Sequence, residues 1–189
     1  DGDLSKVPNL IYKKDGEVKV NRPFAKEELN ALPTPDFDGL PLDLYLSPER
    51  VLPVMGSRGC YWEQCAFCSI PFDHMTFHVR YAENVVNDFK TLQEKYNCNN
   101  FFFTDEALPI NFLRTFAAKI IEQKVDVQWT GELKFEKSLL KDDRMDLLYK
   151  SGCRKLIFGL ESYNQRVLDS MKKGVELSWV DETAERCMK

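Results

Sequence analysis

From residue 51 onward, short apolar runs alternate with longer stripes of hydrophobic residues at helical spacing. Val51 to Met55 is a short apolar run that ends in Gly56-Ser57-Arg58-Gly59. Val85, Val86, Phe89, Leu92 and Tyr96 then recur at the 3.6-residue period of an amphipathic helix. Phe101-Phe102-Phe103 is a compact buried-strand signal, and Ile110, Leu113, Phe116, Ala117, Ile120 and Ile121 form a second helical stripe. Val125 to Trp129 reads as a third strand. Met145, Leu148 and Tyr149 mark a third helix, closed by Gly152 at its C′ position. Lys155 to Leu160 reads as a fourth strand. After it, Ser162 and Gln165 fit a capping box. Val167, Leu168 and Met171 supply that helix's apolar face, Lys172 and Lys173 its last turn, and Gly174 its stop. Ser178 and Asp181 open one more helix, which the chain end cuts short.

Strand and helix thus alternate four times. Strands separated by helices of this length run parallel, with the helix as crossover. The fold class is α/β, as an incomplete barrel of about four strands or half of an open doubly wound sheet. No Gly-x-Gly-x-x-Gly follows any strand, which argues against a dinucleotide fold. Residues 1–50 differ. Leu10-Ile11-Tyr12 and Val18-Lys19-Val20 flank Lys14-Asp15-Gly16 as a short hairpin. Pro33, Pro35, Pro41 and Pro48 follow, and such sequence tends to be extended. The expected organisation is an N-terminal arm or interdomain linker over 1–50 and a truncated core domain over 51–189. The chain opens on Asp1, which reads as a piece of something longer or a processed chain.

Composition narrows the class only a little. Hydrophobic residues at 43% and charged residues at 30% exclude a disordered or collagen-like chain. A formal net charge of -4 removes any bulk electrostatic case for nucleic-acid binding. No signal peptide is visible, and no apolar run approaches the roughly 20 residues of a membrane helix. No nucleic acid or membrane partner is expected, and the expected location is the cytoplasm.

The cysteines carry the chemistry. Three of the six lie within nine residues, as Cys60, Cys65 and Cys68 at spacing C-x4-C-x2-C. They sit in the loop after the first strand, at the functional end of a parallel sheet. Three soft thiolates can hold zinc or an iron–sulfur cluster. With His74 as fourth ligand the site would be a structural Cys3His zinc centre, and the protein a zinc-stabilised binding module without catalysis. Three thiolates alone leave one corner of a cubane open, where a substrate can bind. Cys98, Cys153 and Cys187 fall in apolar contexts and read as buried thiols.

Ser57-Arg58-Gly59-Cys60-Tyr61-Trp62…Cys65-Ala66-Phe67-Cys68 resembles the cluster loop of radical S-adenosylmethionine (SAM) enzymes, in particular the subgroup with an upstream cobalamin-binding domain. Phe101-Phe102-Phe103-Thr104-Asp105-Glu106 resembles that subgroup's second strand and its acidic end. Ser151 to Ser162 resembles its fourth strand, and Met171-Lys172-Lys173-Gly174 the segment after it. Leu32-Pro33-Thr34-Pro35-Asp36-Phe37 is similar to its interdomain connector. One departure stands out: the commonest spacing is C-x3-C-x2-C, and here the first gap holds four residues.

The resemblance implies a partial TIM barrel of the radical SAM kind, normally six-stranded, of which this chain holds about four. It implies that Cys60, Cys65 and Cys68 ligate three irons of a [4Fe-4S] cluster and that SAM chelates the fourth. Reductive cleavage of SAM then yields a 5′-deoxyadenosyl radical, in a cobalamin-linked methyl transfer or a rearrangement. Cobalamin would belong to the full-length protein only. Phe67 would pack beside the adenine or shield the cluster, or simply anchor the loop. Asp105 and Glu106 would face the SAM ammonium, or serve as acids at a helix N-terminus. Glu161 and Ser162 would contact the SAM ribose, and Glu132 would line the pocket or lie at the surface. Lys134 or Arg80 can face the SAM carboxylate. His74 and His78 are candidates for proton transfer or for structural roles. A flavodoxin-like or ferredoxin-like electron donor is expected, and the substrate, a small molecule or a peptide, is undetermined. The isolated segment is expected to be inactive.

Overall fold

The computed structural model describes residues 2–21, 28–70, 77–141 and 143–188. It divides into two compact units, Asp1–Leu32 and Pro33–Lys189. His74 lies outside the described residues.

In the first unit, β1 (Ile11–Lys14) and β2 (Glu17–Val20) pair antiparallel, with Lys14 opposite Glu17. Asp15 and Gly16, both with positive φ, make the two-residue turn of the expected hairpin.

The second unit is built on a parallel sheet. Among the described residues its strands are β3 (Val51–Val54), β6 (Asn100–Phe103), β7 (Gln128–Leu133) and β8 (Cys153–Phe158), lying side by side in that order. Between β3 and β6, the short strands β4 (Ser57–Arg58) and β5 (His78–Val79) pair antiparallel. The helices are α1 (Ala82–Tyr96), α2 (Ile110–Glu122), α3 (Arg144–Lys150), α4 (Gln165–Ser170) and α5 (Leu177–Cys187). The α/β class agrees with the sequence pattern, and the consecutive order of the strands agrees with the partial barrel that the resemblance implies.

Alternation along the strands decides which side is covered. Phe101, Phe103, Trp129 and Leu133 point to one face and are buried there. They meet Phe89 of α1 and Phe112 and Phe116 of α2 in a continuous aromatic cluster. Phe89 stacks on Phe101 at 4.2 Å, and Phe103 meets Trp129 edge-on at 5.7 Å. Such pairs add specific geometry to burial that already favours folding by about 1.5–3 kcal/mol per large side chain. Phe102, Thr130, Lys155 and Pro53 stand in one row of the other face, at most half-buried.

Three sequence expectations shift in the structure. The third strand starts at Gln128, not Val125. Helix α2 ends in a Schellman motif: Lys124 has a φ of 53°, its N–H bonds Ile121 O, and Val125 N–H bonds Ile120 O. Val125 is therefore the apolar partner of a helix end, and the strand runs on to Leu133. The fourth strand, by contrast, begins early, at Cys153 and not Lys155, because Gly152 takes a φ of 93° and turns the chain at once. A Cβ on Gly152 would sit 1.9 Å from Val127 O, so no other residue fits. Finally, the cap of α4 is Asn164, whose side chain accepts from Val167 N–H at 3.3 Å. Gln165 does not reach back to Ser162. Its amide instead bonds Val175 O at 3.0 Å and Leu177 N–H at 3.1 Å, tying α4 to the start of α5.

Residues 34–38 belong to the second unit and are tied to α1. Thr34 Oγ1 donates to Asp88 at 2.7 Å, Phe37 N–H donates to the Tyr96 hydroxyl at 2.7 Å, and Lys95 bonds Asp36 at 2.8 Å.

Candidate functional site

The three clustered cysteines lie in the loop between β4 and β5, beyond the C-terminal ends of the parallel strands. All three are free and half-buried. The stem of the loop is held by Asp105, which is buried at 2% exposure. One of its oxygens accepts from Gly56 N–H at 3.0 Å; the other accepts from Ser57 N–H and from the Ser57 hydroxyl, the latter at 2.6 Å. Burial raises the Asp105 carboxyl to about 6, against the pull of those three donors. Glu106 is exposed, and its Oε2 accepts from Gly59 N–H at 3.1 Å, one residue before Cys60. Both acids thus grip loop backbone. Helix α2 begins only at Ile110, so they are not acids of its first turn.

Beyond the stem, the loop leans on two elements. Tyr61 donates its hydroxyl to Glu136 Oε1 at 2.5 Å and packs edge-on against Phe77 at 5.8 Å. Burial and Glu136 hold its phenol well above the ordinary range. Trp62 Nε1 donates to Lys172 O at 2.9 Å, and Ala66 N–H donates to Met171 O at 2.9 Å. Phe67, 55% exposed, lies under the Lys173 ammonium at 5.3 Å from its ring centre. It borders a hollow of about 450 Å³ shared with Arg166, Val167 and Met171.

Two lysines flank the thiols. Lys134 lies over the Trp62 ring at 4.1 Å and donates to Gly174 O at 2.7 Å. Lys173 pairs with Glu161 at 3.2 Å. Burial pushes the Cys65 thiol up; Lys173 and Lys134 pull it down, and Cys60 and Cys68 push it further up. Burial likewise lowers Lys134, against the attraction of Glu136, Cys65 and Cys60. Cys65 therefore lies within electrostatic reach of the other two thiols and of two cations.

Other sequence candidates are placed as follows. Glu161 joins this group through Lys173 and takes a φ of 69°, a conformation costly for a residue with a Cβ. Glu132 lies on β7, half-buried, on the face away from Trp129 and Leu133. Ser162 is half-buried, two residues before the α4 cap. Arg80 is turned away: it is buried against Asp88 at 2.6 Å and donates to Met55 O at 3.1 Å. His78 sits exposed on β5, in register with Arg58. Cys98 and Cys153 are buried, and burial pushes Cys153 up to about 12. Cys187 corrects the sequence reading: it is the last residue of α5 and is exposed, because the helix end leaves it uncovered. Nothing local to Trp62, Lys173, Gly174 or Glu136 marks them as site residues, since the groups they touch are remote in sequence.

Among the described residues, no three His, Cys, Asp or Glu side chains converge on one point, as a mononuclear metal site requires. A cubane asks for something else. Each thiolate binds its own iron, so the sulfurs stand apart around a common body. Three free, half-buried soft donors on one loop, with cations beside one of them, suit such a cluster in their donor chemistry.

The chain belongs to the radical SAM superfamily, whose family model matches residues 54–189. Among curated proteins it is 28% identical over 183 residues to an uncharacterised methyltransferase of Pyrococcus horikoshii, covering 92% of this chain and 38% of that one. It is 27% identical over 128 residues to the bacteriochlorophyllide d C-12(1)-methyltransferase of Chlorobaculum tepidum, covering 66% of this chain and 28% of that one. Among solved structures it resembles the apo, selenomethionine-labelled cobalamin-dependent SAM radical enzyme OxsB. The TM-score is 0.64 at 20% identity, covering 94% of this chain and 27% of that one, a likeness of fold. The chain therefore spans well under half of each relative's length. Membership implies an enzyme that works with SAM and an iron–sulfur cluster. Among the described residues no helix is long and apolar enough to cross a membrane.

Proposed function

We propose that this chain is the cluster-bearing part of a cobalamin-linked radical SAM methyltransferase. The observation that carries the proposal is the thiol triad: Cys60, Cys65 and Cys68, free and half-buried on one loop at the end of the parallel sheet, with Lys134 and Lys173 beside them. These cysteines would hold a [4Fe-4S] cluster with one iron left for SAM. When bound and reduced, that cluster supplies the electron that cleaves SAM to methionine and a 5′-deoxyadenosyl radical. Methyl transfer is favoured over rearrangement by the relatives, two of which carry methyltransferase names, while a third is called cobalamin-dependent.

The chain's own residues have separable tasks. Asp105 and Glu106 fix the loop stem through its backbone N–H groups. Lys134 and Lys173 offset the charge of the thiolates. Phe67 covers Lys173 and shields that side of the loop. Glu132, Glu161 and Ser162, near the ends of β7 and β8, are the groups available to SAM's hydroxyl and ammonium donors. Cobalamin, the substrate and an electron donor of flavodoxin or ferredoxin type would meet the whole protein, in the cytoplasm.

The test is anaerobic loading with iron and sulfide, followed by metal analysis. Changing Cys60, Cys65 or Cys68 to Ala should each remove most of the bound iron, while Cys98→Ala, Cys153→Ala and Cys187→Ala should leave it. Stoichiometric zinc with no iron taken up would overturn the reading.

A further inference from the structure

Four residues separate Cys60 from Cys65, and the side chains of two of them are held by remote parts of the chain. Glu63, two residues before Cys65, takes a φ of 52°, in the left-handed region. The two residues before it, Tyr61 and Trp62, are pinned on different elements. Tyr61 bonds Glu136, after β7, and Trp62 bonds Lys172, after α4. The fit around Trp62 is close. A Cβ on Gly174 would come within 2.1 Å of Trp62 Cζ2 and 2.3 Å of its Cη2, at a φ of 61°. Lys134 links the same two partners, lying over the indole ring and donating to Gly174 O. A third anchor follows on the other side of Cys65, where Ala66 N–H meets Met171 O.

Residues 171–174 can serve as a support because they are themselves fixed. Lys172 has a φ of 54° and closes α4 as its Schellman residue, with Lys173 N–H on Leu168 O at 3.0 Å. Leu168 and Val175, on either side, are buried in a small second core with Phe135. Phe135 stacks on Phe158 of β8 at 4.2 Å. The support is thus continuous with the sheet.

We propose that residues 171–174 form a cradle for the cysteine loop and that Trp62 is the part seated in it. Trp62, Gly174 and Lys134 are then positioning residues, which set where Cys60 and Cys65 present their sulfurs. Gly174 is glycine because the indole occupies the place of its Cβ. Within the four-residue gap Trp62 is the residue held by the cradle, and Glu63 follows it in the left-handed region. This rests on the reading of the three cysteines as cluster ligands, and it names what holds them in place.

The experiment is a mutant cycle of Trp62→Phe and Gly174→Ala with two readouts. The first needs no cluster: amide hydrogen exchange at Ala66 and Cys68 in the metal-free protein. Gly174→Ala should speed that exchange roughly tenfold. In the Trp62→Phe background it should add distinctly less, because the clashing ring atoms are gone and only the backbone strain at a φ of 61° remains. Equal effects of Gly174→Ala in both backgrounds, or none in either, would overturn the cradle. The second readout is the EPR spectrum of the reduced, loaded protein and its change on adding SAM. Gly174→Ala should alter both at unchanged iron content, which a general loss of stability would not do. Wild-type spectra would overturn the positioning role. Should Gly174→Ala fail to fold, Trp62→Phe alone adds no bulk. It should raise Ala66 exchange with little change in melting temperature, and unchanged exchange would decide against the proposal. A protein that takes up no iron would sink the cluster reading, and the exchange cycle would still decide the cradle.

Discussion

Asp105 spends both carboxylate oxygens on Gly56 and Ser57, the residues that lead the chain into the cysteine loop. Asp105→Asn keeps one acceptor but turns an amide N–H₂ toward a backbone donor. That substitution should cost about 1–3 kcal/mol, the penalty of a buried polar group left unpaired, measurable by urea unfolding. The same carboxyl gives a pH signature. Its folded value of about 6 lies above the ordinary 3.8. The native state therefore binds the proton more tightly than the unfolded chain does. Its contribution to stability is fully present below about pH 4 and is lost as pH rises through about 6. Subtracting the stability profile of Asp105→Ala from that of the parent should leave a difference that declines across this window. A flat or rising difference would show that the three donors outweigh burial.

At the level of elements, helix ends decide several boundaries, and three substitutions read them out. Asn164 caps α4 while Ser162 does not. Asn164→Ala should therefore lower stability by about 1 kcal/mol, and Ser162→Ala should change it by under about 0.5 kcal/mol. Equal losses would return the cap to Ser162. At the end of α2, Lys124 sits in the left-handed region with its side chain bringing no compensating bond. Lys124→Gly should relieve that strain, raising stability by about 0.5–1 kcal/mol and the melting temperature by roughly 1–4 °C. Helix periodicity was legible in the chain because the apolar stripes of α1 and α2 are complete. The ends were less so, because a Schellman turn accepts Lys where glycine would be the visible signal.

For the molecule as a whole, the aromatic cluster between sheet and helices carries the packing. Phe116 is fully buried and touches Phe89, Phe103, Phe112 and Trp129. Phe116→Ala should cost about 3–5 kcal/mol, a large part of the stability of a domain this size, and should lower the denaturant midpoint accordingly. The chain spans 38% and 28% of its two curated relatives, so turnover is a property to test at their length. SAM cleavage by residues 1–189 is expected to stay near background, and a version extended to the relatives' length should exceed it. Equal rates would show that these residues suffice.

The sequence by itself determined the α/β order, the aromatic core and the thiol triad. Each of these is written in local spacing: strand runs, helical stripes, and three cysteines within nine residues. The hairpin turn at Asp15-Gly16 and the helix stop at Gly152 were equally local, since both depend on one residue's backbone freedom. Tertiary structure alone decided what the acids and lysines near the loop do. Asp105 lies 49 positions from Gly56, and Trp62 lies 110 positions from Lys172. A contact across such separations leaves no periodic mark, because it is set by how the strands stack and not by the residues beside it. Gly174 is the clearest case. Read along the chain it ends a helix, a task that Lys172 performs in the fold; in three dimensions it is the space that Trp62 fills.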